Sequence, residues 1–221
     1  MITVRDVVFA YPEGFTLAVP AFDVAPGERV AVIGPSGSGK TTLLSLIAGI
    51  LVPGQGSVVV GGTSVSTLGD GERRAFRIRS IGAVFQDFGL IDYLDARDNI
   101  LHPYRVTDAL RLTPEVRQRA EQLAGSAGIS DRLSRLPRTL SQGEKQRVAI
   151  CRALLPRPSL VLADEATGNL DPETKGTILD LLFAQSAEVG ASVVAVTHDH
   201  DLLSRFDRAV DFAAFRQAFV P

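Results

Sequence analysis

Eight residues, Gly34-Pro35-Ser36-Gly37-Ser38-Gly39-Lys40-Thr41, restrict the possible folds of this chain more than any others. They follow Arg29–Gly34, a short continuous apolar run that suits a strand buried on both faces. They lead directly into Lys40–Leu51, which reads as a helix apolar on most sides. A buried strand, a glycine loop and a buried helix in direct succession need a sheet covered on both faces. Further short apolar runs at 81–86, 159–163 and 192–196 alternate with helical stretches at 72–79, 141–155 and 172–189. That alternation predicts an α/β fold with a mostly parallel sheet. The segments 2–9 and 15–24 alternate as half-buried antiparallel strands, joined by Pro12-Glu13-Gly14, and predict an antiparallel β layer. Ser57–Val60 reads as another short strand.

Between about residues 92 and 155 the character changes to charged helical stretches, such as Glu115–Ala127 begun by Thr113-Pro114. This predicts a single domain in which residues 1–91 and 156–221 form the core and about 92–155 an inserted helical subdomain. The 221 residues carry a formal net charge of −2, so the balance points neither to nucleic acid nor to an anionic membrane as the main partner. The single cysteine, Cys151, excludes an internal disulfide and reads as a small buried apolar group. No stretch approaches the roughly 20 apolar residues of a membrane span, and residues 1–20 lack a signal-peptide apolar region. A cytosolic protein is expected, reaching a membrane only through a partner.

The glycine loop matches the pattern G-x-x-x-x-G-K-[ST], and its residue types have a physical purpose. Gly34, Pro35, Ser36, Gly37, Ser38 and Gly39 let backbone N–H groups converge on a phosphate, and the helix starting at Lys40 aims its positive end there. Lys40 would reach the β- and γ-phosphate oxygens and the Thr41 hydroxyl would ligate Mg²⁺, with Thr42 completing the helix start. The chain holds only three lysines against twenty arginines, so Lys40 marks a place that needs a compact ammonium. The run 159–163 ends in Asp164-Glu165. Alone the pair would suit a helix cap; together with the glycine loop, such a strand is expected to deliver Asp164 toward Mg²⁺ and Glu165 toward an attacking water.

Leu140-Ser141-Gln142-Gly143-Glu144, followed by Lys145-Gln146-Arg147-Val148-Ala149-Ile150, resembles the signature motif of ABC transporter ATPases. The resemblance covers nearly the whole chain. It implies a P-loop NTPase core with an inserted signature subdomain, bound ATP and Mg²⁺, and ATP hydrolysis. Tyr11 resembles the aromatic residue that stacks on adenine, Gln86 the glutamine that links the metal to the partner's docking site, Gly168-Asn169-Leu170-Asp171 the D-loop, and His198 the switch histidine. It also implies a second copy of the chain, whose Ser141 and Gly143 N–H close on the γ-phosphate, and an integral membrane permease subunit. Asp164–Asp171 and Val196–Asp199 look like the lipoprotein-release and macrolide-export branch. A mechanical regulator of the cell-division kind is the alternative; a soluble ATPase acting on nucleic acid or cofactor assembly is disfavoured by the lack of a basic tail.

Three positions and the tail depart from the family pattern. Gln142 replaces the usual glycine, Glu144 the usual glutamine and Ala166 the usual proline, and the tail from Arg208 to Pro221 lacks an Asp-Gly hairpin. None removes a catalytic group. The apolar segment Phe88–Leu94 either docks a membrane partner or belongs to the subdomain core. His102 and His200 read as surface residues.

Overall fold

In the computed structural model, residues 1–12 and 14–216 are described; Glu13 and the end of the tail lie outside them. Two sheets share one core. The first is antiparallel, in the order β2-β1-β4-β5, with β1 Ile2–Ala10, β2 Thr16–Val24, β4 Gln55–Val60 and β5 Thr63–Ser64. The second is parallel throughout, in the order β6-β7-β8-β3-β9. Its strands are β3 Arg29–Ile33, β6 Ile81–Phe85, β7 Leu160–Asp164, β8 Ser192–Val196 and β9 Arg208–Asp211. The expected antiparallel layer and parallel core are therefore both present.

Between the sheets runs α1, Lys40–Ile47, which buries Leu43, Leu46 and Ile47 against Val4, Val58, Val30 and Leu160 in one cluster. The sequence predicted this helix to Leu51, yet it stops four residues earlier. Gly49 adopts φ 64°, a left-handed conformation that only glycine takes without strain, and the N–H groups of Ile50 and Leu51 turn back to the Ser45 carbonyl. A Cβ at Gly49 would stand 2.6 Å from Val65 Cγ1, so the turn also needs the missing side chain.

The helical part comprises α3 Ala96–Leu101, α4 Pro114–Ser126 and α5 Gln142–Leu154, with the polar α2, Asp70–Ser80, on the sheet side. Thr113 caps α4 with Pro114 at its first position, as the sequence predicted. One face of α5 (Val148, Cys151) joins Ile100, Leu123 and Ile129 in the subdomain core. Its other face (Ile150, Ala153, Leu154) packs with Val84, Val161 and Val193 of the parallel sheet. Cys151 is buried as expected, and burial pushes its thiol up to about 12. Leu90 packs on the subdomain core, which settles its half of the Phe88–Leu94 question, whereas Tyr93 is 82% exposed.

α6 spans Pro172–Glu188 and is capped by Asp171, whose carboxylate accepts from the Thr174 N–H. The tail adds β9 to the edge of the parallel sheet and then a short helix, α7 Ala213–Arg216. Among the described residues no helix is long and apolar enough to cross a membrane.

Candidate functional site

The carboxyl ends of β3, β6, β7 and β8 converge, which is where open α/β sheets place ligands. β3 feeds the glycine loop. Gly37 at φ 73° and Gly39 at φ 99° hold it in left-handed turns. Gly39 stands at the N-cap of α1 and brings no side-chain cap. The first-turn N–H groups of Lys40, Thr41 and Thr42 have no carbonyl one turn back to bond, so a ligand at the helix start can take them. Pro35 and Ser36 are exposed at the loop tip, and Ser38 is buried with its hydroxyl unpartnered among the described residues.

The Lys40 side chain is buried and its ammonium donates to the carbonyls of Gly34 and Pro35, both at 2.8 Å. Burial lowers its pKa, and the nearby charges of Glu165 and Asp164 oppose that shift. Tyr11 lies over the loop with its hydroxyl 3.4 Å from Thr42 Oγ1, and its ring meets Phe9 edge-on at 4.8 Å. It is 38% exposed, and the Phe15 ring lies 6.1 Å from it on a tilt.

β7 ends in Asp164, beside Thr41. Burial raises the Asp164 carboxyl, and the Thr41 hydroxyl draws it back down. Glu165, the next residue, adopts φ 49°, a left-handed conformation costing about 1–2 kcal/mol for a residue with a Cβ. The backbone holds it there through two hydrogen bonds: its N–H to Val196 O at 3.1 Å, and its carbonyl from the Gly168 N–H at 2.8 Å. The turn aims the carboxylate at the end of β8, where His198 Nε2 lies 2.7 Å from Glu165 Oε1. Gln86, just past β6, joins this group through two hydrogen bonds with Asn169. One cavity of about 390 Å³ is lined by Thr41, Gln86, Asp87, Asp164, Glu165 and Asn169, with Phe85 at its side. A second, of about 420 Å³, is lined by Gln86, Glu165, Thr167, Lys175 and His198 among others.

Ser141 and Gly143 line neither cavity, so the signature is not brought to this group within one chain. Ser141 is instead an exposed N-cap: its hydroxyl accepts from the Glu144 N–H at 3.2 Å, and Glu144 Oε2 accepts from the Ser141 N–H at 2.8 Å. Arg132 Nε completes the set at 2.5 Å from Glu144 Oε1. The acid at position 144 is thus a capping-box residue neutralised by an arginine rather than a free negative charge. The Ser141 backbone N–H is the largest cause holding its carboxyl below the usual range, followed by Arg132. Its stabilisation is therefore fully present above the unfolded pKa and is lost as pH falls through the lower folded value. Glu144→Ala is expected to cost about 1–2 kcal/mol. Equilibrium denaturation should show that gap from the parent closing as the solution is acidified below about pH 4.

Three contacts here escaped the sequence reading. Arg132 showed no pattern marking it. The Lys175–Asp199 ion pair, at 2.9 Å, ties α6 to the loop carrying His198, and the rarity of lysine was its one available signal. Asn169 was read only as part of the D-loop. His200 is exposed as expected, but His102 is half-buried, and burial lowers its pKa together with Arg152 and Arg105.

A phosphate cradle beside a strained carboxylate that faces a histidine defines a nucleoside-triphosphate hydrolase. A model described as ABC transporter matches residues 17–168. The chain is 40% identical over 214 residues to the lipoprotein-releasing system ATP-binding protein LolD of Pseudomonas fluorescens, covering 95% of this chain and 93% of that one. It is 42% identical over 206 residues to LolD 1 of Rhodopirellula baltica, with 91% and 89% covered. Among solved structures, a dimeric ATP-binding cassette in a post-hydrolysis state with ADP and phosphate matches at a TM-score of 0.84 and 34% identity, covering 96% of this chain and 94% of that one. This chain belongs to the ABC transporter family, as an ATP-hydrolysing subunit.

Proposed function

We propose that this chain pairs with a second copy of itself on Mg-ATP and powers a separate membrane permease of the lipoprotein-releasing kind, from the cytoplasmic face. The observation that carries the reading is the Glu165–His198 pair, 2.7 Å apart beside Asp164 and the glycine loop. ATP lies with its phosphates on the N–H groups of Gly37 to Thr42 and its adenine on Tyr11. Glu165 takes a proton from water as that water attacks the γ-phosphorus in line, the bond to the β-bridging oxygen breaks, and ADP and phosphate leave. Lys40 stabilises charge on the departing phosphoryl group, and His198 positions it. The exposed start of α5, Ser141 to Gly143, serves the nucleotide of the second copy, since it has no phosphate site to face in its own chain.

Thr41, Asp164 and Gln86 offer a hydroxyl, a carboxylate and an amide oxygen, the hard oxygen donors that suit Mg²⁺. Among the described residues no three His, Cys, Asp or Glu side chains cluster as metal ligands. When bound there, the ion would supply charge neutralisation at the phosphates.

The permease has a fitting place to dock. A groove of about 600 Å³ between the sheet and the helical part has Phe85, Ile50 and Val106 as exposed apolar floor, with Arg77, His102 and Arg152 on its walls. Its chemistry suits an amphipathic helix that presents apolar residues and carboxylates. Val106→Glu is expected to cut co-purification of the co-expressed permease at least tenfold while ATP binding stays at the parent level. Retention of the permease by that variant would sink the docking site. Reconstitution with a co-expressed permease of the lipoprotein-releasing kind, read as ATP-dependent release of a lipid-modified protein from vesicles, tests the function as a whole.

A further inference from the structure

Resting on the assignment of Gln86 as a metal-facing oxygen, we infer that Asn169 is a positioning residue that turns the Gln86 side-chain oxygen toward the metal. The Gln86 main-chain carbonyl can only accept, and an Asn169 side-chain nitrogen lies 3.0 Å from it. That contact fixes which end of the Asn169 amide is NH₂. The other end, Oδ1, faces the Gln86 side chain at 3.2 Å, so Gln86 presents its own NH₂ there. Gln86 Oε1 is thereby turned away from Asn169. A flipped Gln86 would set two acceptors against each other at 3.2 Å with no proton between them.

The second constraint is steric. A Cβ on Gly168 would come within 3.0 Å of Gln86 Nε2 and 3.3 Å of Gln86 Cδ, so the residue before Asn169 lets the amide lie flat against the backbone. Gln86 and Asn169 line the same cavity as Thr41 and Asp164, the two other proposed metal donors. The two positions are 83 residues apart in the chain. Inside its own chain the D-loop segment therefore decides which end of a glutamine the metal meets.

The test uses the full chain carrying Glu165→Gln, so that ATP is held without turnover, with Mn²⁺ as a paramagnetic probe titrated in the presence of ATP. Asn169→Ala is expected to weaken Mn²⁺ binding about tenfold, the scale of one net hydrogen bond. ATP binding in EDTA should be unchanged. In a Gln86→Glu background the same Asn169→Ala change should not weaken Mn²⁺ binding, because a carboxylate offers oxygen at both positions and loses only an acceptor that faced it. Equal Mn²⁺ affinity with and without the Asn169→Ala change, in the protein that keeps Gln86, would overturn the inference. So would an equal loss in both backgrounds, or a matching loss of metal-free ATP binding, since each marks a general structural role. Parent-like Mn²⁺ binding by Gln86→Ala would instead overturn the metal assignment on which the inference rests.

Discussion

Glu165→Gln is expected to lower steady-state ATP hydrolysis by about 10²- to 10⁴-fold while ATP affinity stays within a few-fold of the parent. The change keeps the shape of the side chain and removes its ability to accept a proton. It leaves the φ of 49° and the two backbone hydrogen bonds that aim position 165 untouched. In the proposed reading Lys40, Thr41 and the loop amides still hold the phosphates, and the signature of each copy still faces the other's nucleotide. The variant should therefore accumulate as a nucleotide-bound dimer. Sedimentation velocity in saturating Mg-ATP reads this directly: a single dimeric boundary is expected, and monomer alone would count against a site shared between two copies.

Lys40→Ala is expected to act one step earlier, lowering ATP affinity by about 10- to 100-fold and turnover with it. The Lys40 ammonium is buried, donates to two carbonyls, and sits close to Asp164 and Glu165. Removing it leaves those carboxylates facing the phosphates without a cation of the chain between them. The lost affinity should be accompanied by loss of the Mg-ATP dimer, because no nucleotide is held for the second copy to clasp. Titration with a fluorescent ATP analogue, run beside sedimentation, separates the two variants. Glu165→Gln should bind and pair, whereas Lys40→Ala should do neither at the same nucleotide concentration.

Much of this molecule could be read from its residues in order. Runs such as Arg29–Gly34 and Ser192–Val196 are apolar at nearly every position, and only a strand covered on both faces accounts for them. The glycine loop carries its chemistry in consecutive residues, whereas Asp164-Glu165 takes its reading only from sharing the chain with that loop. What was not legible joins residues far apart in the chain. Asn169 reaches Gln86, Arg132 reaches Glu144 across a loop, and β9 pairs with β3 over nearly the whole length of the chain. The end of α1 was misjudged because Ile50 and Leu51 continue the apolar pattern past Gly49. A periodicity cannot register a single residue at positive φ.

The double packing of α5 has a mechanical consequence. With one face in each core, the helix cannot slide or tilt without opening apolar contacts on two sides at once. Its capped first turn therefore behaves as the tip of a stiff rod anchored along its length. When two copies meet around nucleotide, that tip arrives already shaped, and little ordering entropy is lost at the moment of contact. Under the proposed docking, the free energy of clasping ATP is then left to move the permease segment in the groove between sheet and helices.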